Sequence, residues 1–106
     1  MSATIALYEE TLSATPKQAR RAVGTFRVVG DVITAAELIR RSVSEALGNS
    51  SAAGVEAAAR QAIDGFRAGR FFMFFNDRQV TDLAETLLLG ESDELRFVRL
   101  VPLRGG

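Results

Sequence analysis

Strand-like runs of β-branched and aromatic residues occupy both ends of the chain, and apolar residues at helical spacing occupy its middle. Residues 4–12 (TIALYEETL) read as a first strand. Residues 13–21 are polar and contain Pro16, which predicts a long connection to a short second strand at 25–29 (TFRVV), closed by Gly30-Asp31. Thr34 then opens a helix. Thr34 and Glu37 have the spacing of a capping box, in which the hydroxyl and the carboxylate each satisfy a backbone N–H at the helix start. Ala35, Leu38, Ile39, Val43, Ala46 and Leu47 form its apolar stripe, and Gly48 is a natural stop. Residues 49–54 are small and polar and read as a linker. Val55, Ala58, Ala59, Ala62, Ile63 and Phe66 share one face of a second helical segment over 55–66, whose end Gly65 and Gly69 bracket. Its alanines favour helix but offer a shallow apolar surface.

Residues 70–75 (RFFMFF) are the most apolar segment and predict a strand. Asn76-Asp77 predicts a turn and 78–80 a short return strand. Residues 82–89 read as a helical turn or loop bringing Leu83, Leu87 and Leu88 to the core, 90–93 as another turn, and 95–101 as the last strand. The predicted order is β–β–α–α–β–β–β without internal repeats. Alternation sends half of Phe71, Phe72, Met73, Phe74 and Phe75 to each side of a sheet. The outer half is either covered by the first connection or exposed as a surface for a partner or for self-association. Arg96 and Arg99 lie three apart and belong on opposite faces, unless a bulge near Phe97-Val98 intervenes.

Composition narrows the chemistry. The 106 residues suffice for one domain, and 47% hydrophobic with 25% charged residues describes a chain able to bury a core. A net charge of zero gives no electrostatic case for nucleic acid or a membrane surface as partner. The absence of Cys and His excludes thiol chemistry, disulfides, imidazole catalysis and the usual zinc sites. Without a signal-like start or a spanning apolar stretch, a cytoplasmic location is expected. Glu91, Asp93 and Glu94 cluster in a turn, but with no His beside them no metal site is expected, and Asp82 and Glu85 read as caps of a helical turn. Gly24 and Gly30 are too far apart for a phosphate loop. Lys17 is the only lysine against twelve arginines, which fits either base composition of the genome or a shortage of acceptor amines on a protein with a reactive end.

That end is Leu103-Arg104-Gly105-Gly106, directly after the last predicted strand. Two glycines carry no side chain and adopt positive φ without penalty, so they can thread a narrow channel and present a carboxylate to another protein's active site. The strand order with this diglycine resembles the β-grasp family of ubiquitin and of the sulfur carriers of molybdopterin and thiamine synthesis. Phe75-Asn76-Asp77-Arg78-Gln79-Val80 looks like the Phe-Ala-Gly-Lys-Gln-Leu stretch of ubiquitin. Leu100-Val101-Pro102-Leu103-Arg104-Gly105-Gly106 is similar to its Val-Leu-Arg-Leu-Arg-Gly-Gly ending. Asn76, Leu87, Asp93-Glu94-Leu95 and Gly105-Gly106 stand where the sulfur carriers have Val-Asn, a loop leucine, Gly-Asp-Glu-Val and Gly-Gly. The second helical segment has a counterpart in the molybdopterin-type carriers and not in ubiquitin. Those carriers usually end in Pro-Pro-Val-x-Gly-Gly, without an equivalent of Arg104.

The resemblance implies an α+β, β-grasp fold: a four- to five-stranded mixed sheet on one main helix plus the second helical segment. It forms one domain over 1–102, with a tail at 103–106. It further implies a protein that is not itself an enzyme and binds no cofactor, but is the substrate of an E1-like enzyme using ATP and Mg²⁺. Gly106 would be activated, Gly105 would allow passage, and Leu103 and Arg104 would be recognised by that enzyme. Phe72, Phe74, Leu100 and Arg99 are the candidate partner surface. The leading expectation is a ubiquitin-like modifier joined to amines of target proteins, with E2-like and deubiquitinase-like partners. The alternatives are a sulfur carrier bearing a C-terminal thiocarboxylate and a non-covalent β-grasp adaptor or assembly subunit.

Overall fold

In the computed structural model, residues 2–12, 18–48 and 51–100 are described, with Leu12, Gln18, Ala19 and Leu100 described by their backbone alone. Strand β1 (Ser2–Leu12) pairs antiparallel with β2 (Gln18–Val29) and parallel with β7 (Ser92–Leu100). Strand β4 (Phe72–Phe75) adds antiparallel to β7, and β5 (Arg78–Val80) to β4, giving the order β2-β1-β7-β4-β5. Two short strands, β3 (Val32–Thr34) and β6 (Thr86–Leu88), form a separate antiparallel pair. Helices α1 (Ala35–Leu47) and α2 (Ala52–Arg67) complete an α+β molecule. Its five-stranded mixed sheet, with parallel central strands and antiparallel outer pairs, packs on two helices in a β-grasp arrangement.

The first hairpin is longer than its sequence suggests. Residues 18–21 belong to β2 rather than to a loop, because Glu9 and Glu10 stand opposite Arg21 and Arg20 in register. Opposite charges across a ladder stabilise strand where neither residue would favour it alone. The register slips between Leu7 and Tyr8, where Val23 is the extra residue beside Gly24. The connection at 13–17 lies outside the described residues.

Thr34 caps α1 as its spacing predicts, its Oγ1 accepting from the Glu37 N–H at 3.2 Å. The next N–H groups of the helix start, on Ala35 and Ala36, donate to the carbonyls of Glu85 and Leu83 at 2.9 and 3.0 Å. The segment at 82–85 thus closes the helix start, while Asp82 Oδ1 accepts from Ala84 N–H at 2.9 Å and makes its own turn. Gly48 ends the helix at φ 58, its N–H donating to Ser44 O. The inward stripe of α1 is Ala35, Leu38, Ile39 and Ser42; Ala46 and Leu47, expected inside, are exposed because the helix runs past the edge of its support. Helix α2 begins three residues earlier than expected: Ser51 Oγ accepts from Gly54 N–H at 3.1 Å, turning the supposed linker into the first helical turn.

Between sheet and helices, Ile5, Leu38, Ile39, Met73, Val80, Leu87 and Leu95 are completely or almost completely buried. Such side chains contribute about 1.5–3 kcal/mol each on burial. Residues 86–88 are strand rather than helical turn, so Leu87 faces inward while Leu88 stands 78% exposed, a correction to its predicted place in the core. The α2 end docks on the sheet through Phe71, whose ring meets Phe66 and Phe97 edge-to-face at centroid distances of 6.1 and 5.4 Å. No helix is long and apolar enough to cross a membrane, among the described residues.

Candidate functional site

Strand β7 is the middle strand of the sheet, flanked by β1 and β4, and its last residue Leu100 pairs with Leu12. Leu103, Arg104, Gly105 and Gly106, which carry the expected reactive end, follow it and lie outside the described residues. What the structure describes is the strand that leads to them and the two faces of the sheet around it.

Alternation along β4 and β7 divides the expected partner surface. Met73, Phe75, Leu95 and Phe97 face the helices, so Phe72, Phe74, Arg96 and Val98 face away from them. Phe72 and Phe74 therefore share the face away from the helices, termed the open face, where both are half-buried and Val98 is buried at 4% exposure. Arg99 lies on the other side, where it lines a cleft with Ile39, Ser42 and Phe97. The pairing along β7 is regular from Ser92 to Leu100, so Arg96 and Arg99 occupy opposite faces by simple alternation and no bulge separates them.

On the open face two aromatic rings, those of Tyr8 and Phe74, each have an arginine over them. The Arg96 guanidinium lies 5.0 Å from the Phe74 ring centre, and that of Arg20 lies 4.0 Å from the Tyr8 ring centre. Between these two arginines sits Glu10, its side chain 2% exposed, accepting from Arg96 at 3.0 Å with Arg20 at 4.0 Å. Arg20 also donates to Glu94 at 2.8 Å, and Arg96 reaches Glu94 at 3.7 Å and Asp77 at 3.6 Å. A carboxylate this buried requires such partners, since an unpaired buried charge costs several kcal/mol. Planar guanidinium groups suit the position because they bond the carboxylate in-plane and stack on rings with the same group. The face away from the helices thus combines the half-buried Phe72 and Phe74 with a charged network that engages Arg20, Arg96 and Glu10. Glu10, Arg20 and Tyr8 were missed in the sequence. The signal was there in Glu9-Glu10 facing Arg20-Arg21 across a hairpin.

The acidic turn divides as well. Asp93 is buried: its Oδ1 accepts from Asn76 Nδ2 at 2.7 Å and its Oδ2 from Gly90 N–H at 2.9 Å. Asn76 Oδ1 in turn accepts from Glu94 N–H at 2.8 Å, and Asn76 N–H donates to Glu94 O. Asn76 and Asp77 have φ 50 and 70, the left-handed pair of a two-residue hairpin turn, which Asn and Asp tolerate best after glycine. Asn76 and Asp93, two of the positions shared with the sulfur-carrier pattern, therefore fasten the β4–β5 turn to the start of β7. Glu94 serves the open-face network, and Glu91 contributes its carbonyl to Thr4 N–H.

The most exposed large apolar side chains among the described residues are elsewhere: Val29 and Leu88 at 81% and 78%, with Val32 paired opposite Leu88. Val29 and Val32 border a shallow groove with Val28, Ile33, Glu37 and Arg41. Val29 pairs with Ser2, at the opposite end of β1 from Leu12 and Leu100. No protein-family model matches the sequence, and no curated protein matches it either.

Proposed function

We propose that this protein is a ubiquitin-like modifier whose Gly106 carboxylate is activated by an E1-like enzyme and transferred to amines of target proteins. The observation that carries the reading is the placement of β7: a central strand, parallel to β1, is followed in the sequence by Val101-Pro102-Leu103-Arg104-Gly105-Gly106. A carboxylate is a poor acyl donor. ATP converts it to an acyl adenylate with release of pyrophosphate, a thiol of the activating enzyme displaces AMP to form a thioester, and a target amine displaces the thiol to form an amide. The partner supplies the ATP and Mg²⁺ site and the thiol. This chain supplies a rigid body for recognition, a glycine pair slim enough for a channel, and Arg104 as a fork for a carboxylate lining it.

A sulfur carrier is the second reading, and a specific observation favours it. Helix α2 is a full helix of sixteen residues packed on α1, as the resemblance to molybdopterin-type carriers anticipates. In that case sulfide replaces AMP and leaves a thiocarboxylate on Gly106.

Intact-mass and peptide spectrometry on protein recovered from its native host tests both. An isopeptide between Gly106 and lysines of other proteins establishes the modifier. A fraction heavier by the exchange of one oxygen for sulfur at Gly106 establishes the carrier and displaces the first reading. Chains in which Gly106 carries only a free carboxylate, with neither an isopeptide nor sulfur in place of oxygen, defeat both and leave a non-covalent β-grasp adaptor.

A further inference from the structure

We propose that the cleft between the helices and the far end of β1 and β7 binds a short aliphatic carboxylate. The cleft measures about 270 Å³, and Ile39, Val43, Ala62, Phe71 and Phe97 line it. Its origin is legible in the helices. Position 42 continues the inward stripe of α1 after Leu38 and Ile39, yet holds a small Ser42, and α2 presents Ala62 to the same space. Two small side chains where the packing has room for large ones leave a void that the neighbouring phenylalanines wall but do not fill. The Ser42 hydroxyl is already committed, donating to Ile39 O at 2.7 Å, so the interior offers a ligand hydrocarbon contact rather than a hydrogen-bond donor.

The rim carries Arg99 beside Thr11, Glu9 and Glu10, and of these charged groups only the arginine has no ion-pair partner among the described residues. Arg99 lines the cleft and also borders an adjoining open groove, shared with Arg70, Gly69 and Phe71. Among the described residues neither Arg99 nor Arg70 forms an ion pair, whereas the two glutamates that line the cleft are both held by arginines, Glu9 by Arg21 at 3.2 Å and Glu10 by Arg96 at 3.0 Å. At roughly 30 Å³ for a water-sized group, the cleft holds about nine such groups. That suits a linear chain of about six to eight carbons whose head reaches the arginines. Apolar walls reject a wholly polar ligand, and a guanidinium fork favours a planar carboxylate.

Titrating the isotope-labelled full chain with sodium octanoate, followed by amide chemical shifts, tests this site. Saturable shifts are expected around Ile39, Val43, Ala62, Phe71 and Phe97, with Kd on the order of 1 mM. Acetate, which lacks the chain, and 1-octanol, which lacks the charge, should each bind at least about tenfold more weakly. Ala62→Leu places its side chain in the cleft and should weaken octanoate by more than about tenfold. The double variant Arg70→Gln/Arg99→Gln alters exposed side chains only, and should reduce octanoate to the affinity of 1-octanol. Shifts that scatter over the surface or never saturate overturn the proposal. So does equal binding of octanoate and 1-octanol, or a double variant that binds octanoate as the native protein does. The arginine variants leave the core untouched, so they decide the question even if Ala62→Leu fails to fold.

Discussion

Replacing Asp93 by alanine should destabilise the fold far more than its position in a polar turn suggests. The carboxylate accepts two hydrogen bonds, from Asn76 Nδ2 at 2.7 Å and from Gly90 N–H at 2.9 Å, and Asp93 is itself 6% exposed. Hydrogen bonds to a charged group contribute about 1.5–3 kcal/mol each, so the pair represents about 3–6 kcal/mol. Asn76 and Gly90 are exposed and recover water when the acceptor leaves, which offsets roughly half of that loss. The expected cost is therefore about 1.5–3 kcal/mol, or about 6–24 °C in Tm for a domain of this size. Urea unfolding followed by far-ultraviolet circular dichroism measures it, and the slope with denaturant should not change. The companion Asn76→Ala loses the same link and also forces alanine to φ 50, a left-handed conformation that adds about 1 kcal/mol. Because the two side chains share a bond, the double variant should cost about 1–2 kcal/mol less than the sum of the singles. A loss below about 0.5 kcal/mol for Asp93→Ala, or additivity within that margin, would refute the view that this pair fastens the turn to β7.

Glu10→Ala should cost about 2–4 kcal/mol in the same assay, because it removes a buried carboxylate and leaves Arg96, itself only one-fifth exposed, with the more distant Glu94 and Asp77. An unchanged midpoint would show that the open-face network is only a solvated ornament. Thr34→Ala should cost about 1 kcal/mol through loss of the α1 cap, while Thr34→Ser retains most of it. Between the helices, the Arg40 guanidinium bonded to Glu56 at 2.9 Å holds the Glu56 carboxyl below its ordinary value, and the same bond raises Arg40. Since the folded value of Glu56 is depressed, its stabilising effect is present above the ordinary glutamate range and is lost as pH falls through the lowered value. For Arg40 the effect holds at every pH below its strongly alkaline ordinary value, so only the acid limb is observable. Glu56→Gln should accordingly remove a small, salt-sensitive part of the acid destabilisation, visible by comparing pH–stability curves at low and high ionic strength.

The segments whose local chemistry and burial agree are the ones legible from sequence. The Thr34 cap, the Gly48 stop, the Asn76-Asp77 turn and the Phe72–Phe75 strand are each set by a few neighbouring residues. The failures have long-range causes. Residues 18–21 become strand only because Glu9 and Glu10 lie opposite them, and 86–88 become strand only because Val32–Thr34 offers a partner. Residues 52–54 join α2 once Ser51 caps it. In RFFMFF, hydropathy counts the rings and does not show the guanidinium of Arg96 that the register brings over Phe74.

The same distinction bears on function. Asn76 and Asp93 are among the positions that liken the chain to sulfur carriers, and both are spent on fastening a hairpin turn to the central strand. Any β-grasp protein that must hold this turn against this strand gains from the pair, whatever its end is used for. Their presence therefore supports the fold and does not weigh between a modifier and a sulfur carrier. Arg96 and Phe74 are similarly engaged with each other, so a partner docking on the open face would have to displace an arginine held by three carboxylates. The groups left unengaged among those discussed are Arg70 and Arg99 on the helix side and the aliphatic rim of Val29, Val32 and Leu88 at the other end of the sheet. Recognition of this body, as opposed to its end, is accordingly expected to differ from that of a β-grasp protein read through a bare sheet face. Arg99→Glu and Val29→Glu, compared with Phe74→Ala for retention of partners from the host, would locate it: loss confined to Phe74→Ala would restore the sheet face as the docking surface.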